Sequence, residues 1–372
     1  MKKNGHIIWM AMAVLMSTAS CSSSDDSEQE VDVPETGTPI AFSAQQGEET
    51  AVSNGAGARM MTRATSLHDM NVDAFKVWGF KNTTDNYTEY QTVFPGYTVN
   101  YSTGLTASNS SGWEYVEQQT GSDPEQTIKY WDWSAKAYRF YAVTGAAENY
   151  EAYGANGANG IYFTFTADAS TAANTAATPY YSRLWFSTGN TTDYPTRQFG
   201  KPVQLEFMQP FAHVRFMFTY VNEAEGVKLK NPSFKPTDNN GIDLKGTFKV
   251  TYPLTGSAEQ ESYTVTPEAN PAEGETLTAF TEEYIPEGTE KWYAVLPIAT
   301  NVTQGSYTLT VTINGHDKSC VVPSAYMQWR PGYSYTYIFK VNEDGGVNID
   351  LVQSAFTGWE TRESDYYEVY NW

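Results

Sequence analysis

The stretch KPVQLEFMQPFAHVRFMFTY, Lys201–Tyr220, reads as two β-strands broken near Pro210. Its valines, phenylalanines, threonine and tyrosine suit a pleated, half-buried surface, and a proline has no N–H to carry a ladder through the break. Similar runs recur at fairly regular spacing on both sides. Ahead of it lie Ala74–Phe80, Thr92–Phe94, Trp113–Val116, Ala137–Val143, Gly160–Thr166 and Leu184–Phe186. PIAFSA, Pro39–Ala44, is a short first strand with Ile40 and Phe42 on one face. Behind it come Val227–Leu229, Gly246–Tyr252, Tyr263–Thr266, Lys291–Leu296, Tyr307–Ile313, Asp317–Val322, Tyr333–Val341 and Asn348–Leu351. Asn314-Gly315 in VTINGHDKSCVV is a strong hairpin signal, and Pro331-Gly332 marks another turn. About sixteen strands without a long helical pattern predict an all-β chain of two antiparallel sandwiches in tandem. The break between them is expected in 194–202, with 220–235 as the other choice, which gives sandwiches over 64–200 and 201–359.

Composition supports this class. Aromatic residues make up 15% of the 372-residue chain, with 27 Tyr, against 18% charged residues. The formal charge is −20. Such a surface repels phosphates and argues against nucleic-acid binding.

The amino terminus reads as an export address. Lys2 and Lys3 form a basic start, Ile7–Met16 an apolar core, and small residues lead to Cys21. The apolar run is about half of the roughly 20 residues that span a bilayer, so residues 1–20 are expected to be a signal peptide. Ser17-Thr18-Ala19-Ser20-Cys21 is similar to a loose bacterial lipobox, in which the cysteine is lipidated; the alternative is an ordinary signal peptide with a chance cysteine. The polar, acidic SSSDDSEQE that follows, Ser22–Glu30, reads as a disordered tether and favours the lipoprotein. With Cys21 lipidated, Cys320 has no intrachain partner.

Motifs that would signal an enzyme, cofactor or metal are weak. GANGANG, Gly154–Gly160, precedes a strand and not a helix, so it lacks the context of a phosphate-binding loop. The run from Asp238 to Asp243 faintly resembles a calcium loop, yet its twelfth position is Lys249 where a bidentate acid is needed. His68, His213 and His316 are far apart, with no paired Cys, Asp or Glu at ligand spacing. There is no G-x-S-x-G elbow and no Cys–His arrangement, so the chain is expected not to be an enzyme and to hold no cofactor. Trp131-Asp132-Trp133 and Tyr180-Tyr181 either form a platform for sugar rings or fill the sandwich core.

The order of several phrases carries a resemblance. PIAFSA is followed by TRAT, FKVWGF, YWDWSAKAYRFYAV, VQLEFMQPFAHVRFMF, GTFKV, WYAVLPI, MQWRPGYSYTYIFKV and a closing TGWE. Over about residues 38–360 the chain resembles the fimbrillin-like family of lipidated pilus subunits of Gram-negative anaerobes. That resemblance implies two transthyretin-like sandwiches and assembly by strand exchange. An arginine-specific protease would cut at the surface, the first strand would leave, and a neighbouring subunit would fill the channel. Residues 21–63 would then be the lipidated tether plus the removable strand, with Ile40 and Phe42 plugging the core. An open sheet edge readily accepts such a strand. Arg63 best matches the family's cut position and Arg59 is the runner-up; the alternative is two ordinary solvated charges in a loop.

Residues 360–372 contain ESDYYEVYNW, Glu363–Trp372, a possible donor strand. Tyr366, Tyr370 and Trp372 share one parity and Tyr367 and Val369 the other, but Glu368 and Asn371 interrupt the two faces. If this segment instead packs on its own domain, the chain is a tip or accessory subunit. The implied partners are other fimbrial subunits, the protease, the outer membrane through the lipid, and a host or bacterial surface receptor. A surface glycan-binding lipoprotein and a tip adhesin or anchor subunit are the other readings.

Overall fold

In the computed structural model, Val203, Leu205 and Phe207 are fully buried and alternate with Gln204, Glu206 and Met208, which are not. The period of two is that of a strand with one face on a core. Residues 37–47, 65–102, 106–121, 123–144, 150–153, 161–167, 179–188, 198–220, 228–237, 246–256, 261–267, 277–278, 293–298, 305–342 and 346–356 are described.

Twenty strands occur among them. The first ten are β1 (Phe42–Gln46), β2 (Ala74–Asn82), β3 (Tyr90–Tyr101), β4 (Trp113–Glu114), β5 (Ala137–Val143), β6 (Tyr150–Tyr153), β7 (Ile161–Ala167), β8 (Tyr181–Ser182), β9 (Trp185–Thr188) and β10 (Val203–Met208). The rest are β11 (Ala212–Tyr220), β12 (Leu229–Pro236), β13 (Gly246–Tyr252), β14 (Ser262–Pro267), β15 (Leu277–Thr278), β16 (Tyr293–Val295), β17 (Tyr307–Ile313), β18 (His316–Val322), β19 (Tyr333–Val341) and β20 (Val347–Phe356). No α-helix occurs among the described residues. The chain is all-β, as its sequence predicts.

An eight-stranded sheet runs β1-β10-β8-β5-β2-β3-β4, with β9 also on β5. It curls strongly. Phe42 of β1 meets Phe94 of β3 at 5.2 Å between ring centroids, although four strands stand between them in the ladder. The inner face encloses one aromatic core, with Phe75, Val77, Phe94, Phe140 and Phe207 in it. On the outer face Tyr141 stacks on Tyr252 at 4.4 Å, and Trp78 meets Phe163 at 4.9 Å. These contacts bury a second sheet, β14-β13-β7-β6, against the first. The remaining two sheets, β16-β11-β19-β20 and β15-β12-β17-β18, face each other over a third core, where Phe216 meets Phe234 at 5.1 Å. The first phenylalanine lies on β11 and the second on β12, so this is a sandwich in the strict sense.

Three details depart from the sequence reading. Two ladders are parallel: β1 with β10 and β11 with β19. A parallel neighbour needs a crossover connection, which alternation along one strand does not reveal. Hydrogen bonds also cross the break expected near residue 200. β10 completes the first sheet, and Gly246–Tyr252 pairs with Ile161–Ala167. The switch between sheets falls at Gln209–Phe211, the proline-bearing break inside the opening stretch. Finally, the strand expected at Thr92–Phe94 extends over Tyr90–Tyr101, because bulges at Val77/Trp78 and Gly79/Phe80 let the chain pass Pro95 without ending the ladder. The hairpin at Asn314-Gly315 is present, with both residues at positive φ (48° and 84°), as its primed turn requires.

Candidate functional site: the first strand and its channel

β1 ends the ladder of the first sheet, yet both of its edges are occupied. On one side it pairs in parallel with β10, from Phe42 opposite Val203 to Gln46 opposite Phe207. Val203 donates to the Ala41 carbonyl at 2.8 Å, and Gly47 donates to the Phe207 carbonyl at 2.8 Å. On the other side two separate segments flank it. Ile40 donates to the Lys129 carbonyl at 2.8 Å and Trp131 to the Thr38 carbonyl at 3.0 Å. Farther along, Leu67 donates to the Ala44 carbonyl at 3.2 Å and Gln46 to the Thr65 carbonyl at 2.9 Å. Thirty-seven to forty-seven is therefore the filling of a channel whose walls are β10, Lys129–Trp131 and Thr65–Leu67.

The inward side chains are Ile40, Phe42 and Ala44. Ile40 and Phe42 have no exposed surface, and Ala44 keeps only 5%. Phe42 sits in a cage of three rings, edge-on to Phe94, Tyr115 (5.8 Å) and Phe140 (5.7 Å). Burial of Ile40 and Phe42 contributes on the order of 1.5–3 kcal/mol each. Gly79 makes room for the cage: a Cβ there would stand 2.5 Å from Phe140 Cε1 and 2.9 Å from Phe94 Cδ2. At the far end a Cβ on Gly47 would meet Met208 Sδ at 2.7 Å. Ser43 and Gln45 point the other way, and Gln45 Oε1 accepts from Gln204 Nε2 at 2.6 Å.

A polar scaffold holds the cage and its rim. The Tyr115 hydroxyl donates to the Ile40 carbonyl and accepts from the Lys129 N–H at 2.9 Å, so it bridges β1 and its wall. Gln126 is buried and extends the β3 ladder: its Oε1 accepts from Thr98 N at 2.7 Å, and its Nε2 donates to the carbonyls of Thr98 and Tyr115. Glu114, almost fully buried, accepts from the hydroxyls of Thr106 and Ser108 and from the N–H groups of Tyr115 and Val116. Burial by itself would raise its pKa, but these donors to the charged form outweigh burial and hold it below the ordinary carboxylate value. None of Tyr115, Gln126 or Glu114 stands out in sequence, since each acts through a fold-specific neighbour.

Of the sequence-derived site residues, Ile40 and Phe42 lie together in the channel. Cys21, Arg59, Arg63, Tyr366, Val369, Tyr370 and Trp372 lie outside the described residues. The aromatic pairs offered as a sugar platform do not stand exposed side by side. Trp131, Tyr180 and Tyr181 keep 4%, 1% and 4% of their surface, and Trp133 is half-buried against Phe199. They are core residues. Among the described residues there is no group of three or more His, Cys, Asp or Glu side chains placed to hold a metal ion, and no helix long and apolar enough to cross a membrane.

Residues 62–359 match the model of the fimbrillin-like family. The chain belongs to that family. The match begins three residues before the Thr65–Leu67 wall, so β1 precedes it. No curated protein matches the chain. Among solved structures, a candidate cell-adhesion protein of Bacteroides uniformis is 16% identical over 86% of this chain and 98% of its own, with a TM-score of 0.45. A fimbrial protein of Bacteroides vulgatus is 11% identical over 76% of this chain and 93% of its own, with a TM-score of 0.44. The fimbrial anchor protein Mfa2 of Porphyromonas gingivalis is 12% identical over 86% and 96%, with a TM-score of 0.34. The fimbrillin-like chain is thus a member of a structural, fimbrial family and not of an enzyme family.

Proposed function

We propose that this chain is a structural subunit of a cell-surface fimbrium that serves adhesion. It is exported as a lipoprotein, anchored to the outer membrane through Cys21, and assembled by protease-triggered strand exchange. An arginine-specific protease cuts at Arg63, or at Arg59, and the segment with Ile40 and Phe42 gives way to a strand from another subunit. The observation that carries this reading is the seat of β1. Among the described residues it fills a channel whose walls all come from later in the chain, and the Gln46–Thr65 hydrogen bond closes the base of the span that contains both arginines. A cut within that span leaves every described contact of β1 in place, so cleavage makes the strand replaceable without expelling it.

Digestion of the full chain with an arginine-specific protease, followed by mass analysis and addition of a labelled peptide with the sequence of Pro39–Gly47, tests the proposal. The expected result is one cut in the span and uptake of the peptide by cut protein alone. Resistance of the span, shredding throughout, or uptake by uncut protein would overturn it.

A further inference from the structure

We infer that the outer edge of β14 pairs with the same edge of a second copy of this chain, antiparallel and about a two-fold axis at Thr264, and so joins subunits side by side. The contact is independent of β1 and its channel, and it goes beyond the strand-exchange reading.

β14 ends the sheet β14-β13-β7-β6 and pairs along one edge with β13, from Ser262 opposite Thr251 to Pro267 opposite Gly246. Five of its six residues are exposed and Val265 is half-buried, so its outer edge is open to solvent. Such an edge presents unpaired N–H and C=O groups to any other strand, and proteins blunt it with short length, charge, bulges or a cover. Among the described residues the other terminal strands have such protection. β4, β15 and β16 have two or three residues and β6 has four. β18 opens on His316-Asp317-Lys318, a bulge interrupts the β19–β20 ladder, and β1 is walled on both sides. β14 is SYTVTP, six residues without a charge. The acid just before it, Glu261, is engaged elsewhere, its Oε2 accepting from the Leu184 N–H at 2.9 Å. In a chain of formal charge −20, this edge lets two copies approach without like charges facing each other.

Pro267 has no N–H to donate, which leaves Ser262–Thr266 to pair. The middle of those five residues is Thr264. Centred there the pairing is self-complementary, as a two-fold contact must be. Tyr263 meets Val265 of the second copy, and Val265 meets its Tyr263. Ser262 and Thr266 meet likewise on the opposite face. Tyr263 and Val265 lie on the core face, opposite the buried Val250 and Phe248. Tyr263 stacks on Phe248 at 5.0 Å between ring centroids yet keeps 40% of its surface exposed. The second strand extends the ladder and covers this open rim, setting an aromatic against a β-branched side chain twice. Five paired residues make a weak contact between two free chains, and repetition along two fimbria multiplies it.

Single cysteines in the full, uncut chain test this, in a background of Cys21→Ser and Cys320→Ser, with diamide as oxidant and a non-reducing gel as readout. Directly opposed residues of a ladder stand at a Cα separation that a disulfide can bridge. Thr264→Cys faces its own counterpart and is expected to give linked dimer alone. Ser262→Cys and Thr266→Cys are each expected to give about tenfold less alone, and to link to each other when mixed. Thr266→Lys added to the Thr264→Cys chain puts a charge on the edge and is expected to lower the dimer about tenfold. Equal yields from all three cysteines alone would mean random collision and would overturn the inference, as would no dimer from any of them. Because the chain is uncut, either result leaves strand exchange standing.

Discussion

The hydroxyl of Tyr115 donates to the carbonyl oxygen of Ile40 at 3.0 Å while it accepts from the N–H of Lys129 at 2.9 Å. One side-chain atom thus adds a bridge to the backbone hydrogen bonds between β1 and its wall. Tyr115→Phe leaves a buried carbonyl and weakens the rim, at a cost of about 1–3 kcal/mol. After cleavage, the variant's β1 is expected to exchange faster than in the parent, read from the rate of labelled-peptide uptake. An unchanged rate would show that the ladder to β10 alone governs exchange.

Gly79 lies in the middle of β2, where a missing side chain usually weakens a strand. Here the rings of Phe140 and Phe94 occupy the space a Cβ would need. Gly79→Val is expected to displace the cage, cost about 1–3 kcal/mol, and lower the midpoint of urea unfolding. If the midpoint rises, the rings have room to move and the cage is looser than its contacts indicate.

His213 is the second residue of β11, between Ser334 of β19 and Ala294 of β16, and is almost fully buried. Burial pushes its pKa down from 6.5 to about 4. The unfolded chain takes up that proton near pH 6.5 and the folded chain only near 4, so stability is full above 6.5 and falls as pH drops between these values. His213→Leu should remove this part of the acid loss, measured as thermal midpoint against pH. An identical slope in both proteins would assign the loss elsewhere.

Glu114 acts lower on the scale. Its carboxylate is stabilised in the folded state, so its contribution is present above the ordinary carboxylate pKa and is lost as pH falls through the lowered one. Glu114→Gln should destabilise the protein near neutrality by about 1–3 kcal/mol, because one carbonyl cannot serve four donors. It should also flatten the stability profile below pH 4.5, the ordinary value. A variant as stable as its parent at pH 7 would show that solvent can replace the carboxylate.

The strands around Lys201–Tyr220 are legible because each buries one face, and that alone produces alternation. β10 obeys it, as do β11 from Val214 to Thr219, Tyr307–Ile313 and Gly246–Tyr252, whose every second residue is buried. Partner choice is not written in one strand. Nothing within VQLEFM says that its neighbour is PIAFSA, or that the two run the same way. Ile40 and Phe42 are visible as one apolar face, but the cage that receives Phe42 is assembled from β3, β5 and the Tyr115 turn, three places far apart in the chain. The aromatic pairs read as a possible platform are core for the same reason: whether a tyrosine faces solvent depends on what the fold lays over it.

Gln45 and Gln204 are 159 residues apart in sequence and meet side by side. Contacts of such separation carry a high closure entropy and form late. The first of the described strands to emerge during synthesis must therefore wait, unpaired, for one of the strands that emerge much later. During that interval PIAFSA is a short apolar segment without its seat. The order in which the chain appears thus separates the stopper from its seat, and the strand seated late is the one that the proposed exchange would displace.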